Sequence, residues 1–161
     1  MQRIKTILVP TDFSAASARA LSYARNVADA FGATLHLLHV FDNPFAAGAF
    51  MDMYTPAPDD YVERMERQAL THLETLLTPE QRTRYAPVFA ARMGLPAQQI
   101  LQYAEEHGAI DVIVLATGGH GRVARLILGS VADKIVRMAP CPVLTVHPHD
   151  RTEGGAVGEA A

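Results

Sequence analysis

The chain has 161 residues, nearly half of them apolar, a formal net charge of −3 and a single cysteine. That length suits one domain with a substantial core, and the mildly acidic balance argues against a broad basic surface for nucleic acid. One thiol, Cys141, cannot close an internal disulfide and points to a reducing compartment, with the cytoplasm as the expectation. No apolar run reaches the ~20 residues that cross a bilayer, and Met1 to Lys5 leads into a strand without a signal-peptide core, so no membrane partner is expected.

Ile4 to Val9 reads as a buried strand ended by Pro10. From Ser14 to Phe31, apolar residues at Ala20, Leu21, Ala24, Val27, Ala28 and Phe31 keep helical spacing, with Ser14 placed to cap the start and Gly32 to take a left-handed turn at the end. Thr34 to Phe41 is a second strand. Residues 42–60 mix Pro, Gly, Met and aromatics without period and read as a long loop. Asp60 to Leu77 is a second helix with Val62, Met65, Ala69, Leu73 and Leu76 on one side, stopped by Thr78-Pro79. Pro87 to Ala91 is a third strand, Pro96 to His107 a helix closed by Gly108, and Asp111 to Ala116 a fourth strand. Ser130 to Met138 is the last helix and Pro142 to Val146 the last strand. The domain is expected to span 1–147, with a disordered Gly- and Ala-rich tail over 148–161.

Strands alternate with helices, and the strands are almost unbroken Val, Ile and Leu runs, the pattern of a parallel sheet covered on both faces. In such open sheets, ligands bind beyond the carboxyl ends of the strands, where the strand order reverses. Two segments fall at that edge. In Val9-Pro10-Thr11-Asp12-Phe13-Ser14, Asp12 has two readings: a contact to a ribose, a base edge or a water-bound Mg2+, or a plain helix-capping residue. The second segment is Thr117-Gly118-Gly119-His120-Gly121, continued by Gly129-Ser130-Val131. Glycine there allows a ligand close to backbone N–H groups, and a helix N-terminus adds partial positive charge, a combination that suits phosphate. The bland alternative is a tight turn that uses glycine for positive φ.

Other constellations lead nowhere comparable. The loop has no P-loop lysine, and Gly119-His120-Gly121-Arg122-Val123-Ala124 matches a dinucleotide fingerprint only in the wrong place, after the fourth strand. His36 and His39 fall on opposite faces of one strand and cannot share a metal. His147-Pro148-His149 would bind metal only adventitiously, and Cys141, between two prolines, reads as a packed residue. Ser130 reads as a helix cap that also donates to phosphate, since no nucleophile-elbow pattern surrounds it. No general base stands beside the glycine loop, so a binding protein is expected rather than an efficient enzyme.

Together these segments resemble the universal stress protein family. The resemblance rests on Ile7-Leu8-Val9-Pro10-Thr11-Asp12-Phe13-Ser14, Leu37-Leu38-His39-Val40 and Gly94-Leu95-Pro96. It rests also on Gly118-Gly119-His120-Gly121 followed by Leu128-Gly129-Ser130-Val131-Ala132-Asp133-Lys134-Ile135-Val136, and on Ala139-Pro140-Cys141-Pro142-Val143-Leu144-Thr145-Val146. The resemblance implies a Rossmann-like three-layer α/β sandwich, its five parallel strands in the order 3-2-1-4-5, and a homodimer paired through Val143 to Val146. It implies a stress-response protein whose ATP-binding branch holds ATP or a related adenine nucleotide. Pro10, Thr11, Asp12 and Val40 would then lie along the adenosine, and Gly118, Gly121, Gly129 and Ser130 along ribose and phosphates, with Thr117 and Val131 beside them. One departure stands out: seven residues separate Gly121 from Gly129, where the ATP-binding pattern has nine. A member that works through its dimer surface without nucleotide, and a slow nucleotide hydrolase, are the alternative readings.

Overall fold

The computed structural model describes residues 3–44, 58–117 and 129–147. Alternate residues of a strand go to opposite faces, and here that alternation divides the interior in two. Ile7, Val9, Leu35, Leu37, Val112 and Val114 meet one set of helices, while Leu8, Leu38, Ile113 and Leu115 meet another. The five strands are β1 (Thr6–Thr11), β2 (Thr34–Phe41), β3 (Val88–Met93), β4 (Val112–Ala116) and β5 (Val143–Val146). They form one parallel sheet in the order β3-β2-β1-β4-β5, as the resemblance implied.

On the first face, α1 (Ala15–Phe31) lays Ala20, Leu21, Ala24 and Ala28 against the sheet, and α2 (Tyr61–Thr75) inserts Ala69 and Leu73. The second face is covered by α4 (Pro96–Glu106), through Ala97, Ile100, Tyr103 and Ala104, and by α5 (Ser130–Met138), through Ala132 and Ile135. Helix α1 starts and stops as its sequence dictates. The Ser14 hydroxyl accepts from the Ser17 N–H, and Gly32 sits at φ 67°, where a side chain would be strained. At the amino edge, the Asp111 carboxylate takes the N–H groups of Lys5 at 2.7 Å and Thr6 at 3.0 Å, tying the start of β1 to β4.

Four boundaries differ from the sequence reading. Strand β1 does not end at Pro10 but continues through Thr11. The Lys5 carbonyl accepts from Thr34 of β2, and the Thr6 carbonyl from Asp111 on the β4 side. Counting by twos puts Pro10 on the β4 side, where pairing has already stopped at Leu8–Ile113. Its missing N–H therefore breaks no ladder, while pairing to β2 runs on to Thr11–His39. Second, Thr78-Pro79 is the start of a further helix, α3 (Pro79–Tyr85), in which Thr78 and Gln81 form a reciprocal capping box. Third, β3 runs on to Met93, held by β2 along its length. Fourth, α4 is capped by His107 at φ −100° rather than closed by Gly108, and the His107 ring bonds back to the Tyr103 carbonyl. Two residues assigned to helix stripes, Phe31 and Val62, are solvent-exposed.

Leu73 is fully buried and anchors α2 to the first core. Leu73→Ala is expected to cost about 2–5 kcal/mol in urea unfolding with an unchanged m-value. Val62→Ala on the exposed side of the same helix should stay within about 0.5 kcal/mol of the wild type.

Candidate functional site

Strand order reverses between β1 and β4, and these two strands part after Leu8–Ile113. The parting leaves a cleft of about 320 Å3 at the carboxyl edge of the sheet, near the low end of the ~300–1,000 Å3 range of small-molecule sites. Its floor is apolar: Leu38 and Val40 from one face of β2, Leu115 from β4, Ile100 from α4 and Ile135 from α5. Its rim is polar and comes from the Pro10-to-Ser14 turn, Ser17 and the first turn of α5.

Three helices start here, and their ends are not equivalent. At the start of α1 a side chain takes one of the free amides, because Ser14 Oγ accepts from Ser17 N–H, and the Ser17 hydroxyl returns a bond to the Ser14 carbonyl at 2.9 Å. Helix α5 has Gly129 at its N-cap, in extended conformation and with no side chain to offer. Its first intrahelical bond runs from Asp133 N–H to the Gly129 carbonyl, so the amides of Ser130, Val131 and Ala132 have no acceptor within the helix. All three residues line the cleft. An anion is favoured at such an end by about 0.3–1 kcal/mol, up to ~2 in good geometry. Ser130 is thus the first helical residue, not the cap that the sequence reading made it.

The turn after β1 is held by its own side chains. Thr11 Oγ1 accepts from Phe13 N–H and donates to Ser17 Oγ, both at 3.0 Å, and Asp12 Oδ1 accepts from Ser14 N–H at 3.0 Å. Burial alone would raise the Asp12 pKa, but hydrogen bonds from Ser14 and Ser17 overcome it and hold the carboxyl below its ordinary value. Asp12 is therefore a carboxylate at neutral pH, with oxygen left over to accept from a hydroxyl or amino group or from a metal-bound water.

The structure brings seven of the ten sequence-derived site residues to this cleft: Pro10, Thr11, Asp12, Val40, Gly129, Ser130 and Val131. Thr117 turns elsewhere. It is buried, with its N–H on the Val146 carbonyl at 3.0 Å and its hydroxyl beside His147 Nδ1 at 3.0 Å. Gly118 and Gly121, with His120, lie outside the described residues. The sequence reading named Val40 but missed the rest of the apolar floor. Leu38 was readable as the residue two before Val40, on the same face of the strand, whereas Pro96, Ile100 and Ile135 carried no local signal. His36 and His39 do face opposite ways, toward Tyr103 and Phe13 respectively. Burial and the Asp111 carboxylate push the half-buried Cys141 thiol up, which suits a packed rather than a reactive residue. Among the described residues, no group of three His, Cys, Asp or Glu could hold a metal, and no helix is long and apolar enough to cross a membrane.

Sheet order, paired cores and cleft define an open, doubly wound α/β protein with a crevice at its switch point. The chain belongs to the universal stress protein family, whose family model matches residues 3–147. It is 35% identical over 148 residues to the universal stress protein in the QAH/OAS sulfhydrylase 3′ region of Thermus aquaticus, covering 88% of this chain and 98% of that one. Among solved structures, it is similar to the universal stress protein UspA from Lactobacillus plantarum, with 28% identity, TM-score 0.61 and coverage of 91% and 99%. A universal stress protein crystallised in complex with cAMP shares the fold at TM-score 0.60 and 23% identity, covering 92% of this chain and all of that one.

The folded Asp12 pKa lies below its unfolded value of 3.8. The stability that Asp12 contributes is then fully present above that value and lost as pH falls through the lower, folded one. Urea midpoints measured from about pH 2 to 7 should show Asp12→Asn trailing the wild type at neutral pH, with the gap closing below about pH 4.

Proposed function

We propose that this chain binds ATP or a related adenine nucleotide in the cleft and acts as a cytoplasmic stress-response protein rather than an efficient enzyme. The observation that carries the reading is that the uncapped start of α5 and the Asp12 carboxylate line one apolar-floored cleft. The base and sugar lie over Val40 and Leu38 beside Pro10, Thr11 and Asp12, and the phosphates meet the amides of Ser130 and Val131 at Gly129. Gly118 and Gly121 complete the phosphate cradle on the family pattern. The complex of a family member with cAMP supports an adenine ligand. Mg2+ would arrive with ATP, and the ionised Asp12 has the donor chemistry to meet its water shell.

Magnitudes favour this division of labour. Micromolar binding requires about 8 kcal/mol, of which a helix end supplies ~2 at most. The apolar floor must supply much of the rest, at roughly 25 cal/mol per Å2 buried. A second reading, a family member that works through its surface without nucleotide, is favoured by the seven-residue spacing between Gly121 and Gly129.

Calorimetric titration of the full chain with ATP decides between them, with Kd in the micromolar range expected. Gly129→Asp should weaken binding at least tenfold while leaving the fold intact. Aspartate is a good N-cap, so the substitution favours the helix while placing a negative charge where phosphate would sit. Absence of heat with ATP, and of any adenine nucleotide carried through purification, removes the nucleotide reading, and sustained phosphate release would make the protein an enzyme.

We further propose a homodimer joined through β5. This is an edge strand whose Leu144 is exposed, and an uncovered edge of that kind invites pairing. Sedimentation should show a dimer for the wild type and a shift toward monomer for Leu144→Asp; a monomeric wild type refutes the interface.

A further inference from the structure

Phe13 occupies φ 62°, one of two positive-φ positions outside glycine among the described residues. An aromatic residue there is strained, and such strain persists only where the surroundings impose it. What imposes it is visible on both sides of the chain. Toward the cleft, the flanking residues Asp12 and Ser14 line the site, and Phe13 N–H is held by Thr11 Oγ1. Away from the cleft, the Phe13 ring lies between two imidazoles. His72 of α2 is stacked on it at 3.8 Å and 12°, and His39 of β2 lies at 4.4 Å and 35°. His39 is itself anchored, with Nδ1 2.8 Å from the Thr11 carbonyl. A carbonyl only accepts, so Nδ1 carries the proton and donates. The ring layer is thus tied back to the same Thr11 whose hydroxyl holds the Phe13 amide.

We infer that Phe13 is a positioning residue for the cleft, clamped between His39 and His72 so that the Thr11–Ser14 turn presents Asp12 and Ser14 to the ligand, and that α2 is coupled to the site through His72. The inference rests on the nucleotide reading for its affinity arm alone. The bland alternative is that Phe13 only fills the first core, against which it packs. His72 separates the two, because it is exposed at the surface of α2, and truncating an exposed residue with no further role is close to neutral.

The test is carried out on the full chain with His72→Ala, His72→Phe and Phe13→Leu. The last keeps an apolar filler and removes the stacked ring. ATP titration should show affinity lowered about 3- to 10-fold in His72→Ala and Phe13→Leu, the size of one aromatic pairing, and restored in His72→Phe. Amide hydrogen exchange of the ligand-free protein should show reduced protection at Phe13 and Ser14 in His72→Ala, with α1 unchanged. Wild-type affinity together with wild-type protection in His72→Ala would overturn the clamp and leave Phe13 a core residue. If the wild type itself fails to bind ATP, the nucleotide reading falls, and the exchange measurement still decides whether the clamp exists.

Discussion

The architecture turns on the parting of two neighbouring strands. β1 and β4 are held together at the amino edge by Asp111, pair at Ile7 and Leu8, and then separate. Pro10 stands on the side facing β4, where a residue with an N–H would otherwise offer a donor to that gap. A proline in a central strand is ordinarily a defect; here it is compatible with the sheet because the ladder on that side has ended. The opening is lined by side chains from β1, β2, β4 and three helix starts. Every feature of the site follows from this placement at the reversal of strand order.

Within the cleft, polar capacity is distributed unevenly, and that unevenness carries chemical meaning. The start of α1 has a capping serine, and the hydroxyls of Ser14, Ser17 and Thr11 bond among themselves. The start of α5 has a glycine where a capping side chain would be. The amides of Ser130, Val131 and Ala132 have no acceptor within α5, and at a helix N-terminus such groups suit an incoming anion. The apolar floor between them suits a flat ring system.

Much of the architecture was readable from local patterns. The five apolar runs, their alternation with amphipathic stretches, Ser14 and Gly32 around α1, and the exact span of β2 follow from periodicity and capping. Helix α3 was missed although its signal was present: Thr78 and Gln81 at capping-box spacing, with Pro79 at the first helical position. Pro79 was read as a stop because proline ends helices as readily as it begins them, and only the position of Thr78 distinguishes the cases. Pro10 misled for a related reason, since whether a proline interrupts a strand depends on which neighbour its nitrogen faces, and that depends on pairing.

Local sequence settled the five strands, the helices α1, α2, α4 and α5 and the short polar turn at 11–14, because these depend on spacing and on individual side-chain chemistry, whereas the folded chain made Gly129 rather than Ser130 the N-cap of α5. Only the folded chain decided that Leu38, Ile100, Leu115 and Ile135, spread across four elements, form one floor. It alone turned Thr117 toward β5 rather than into the cleft, and set Phe13 between two histidines from different elements. Those outcomes belong to strand order and helix docking, which bring together residues up to about a hundred positions apart that carry no mark of one another in the chain.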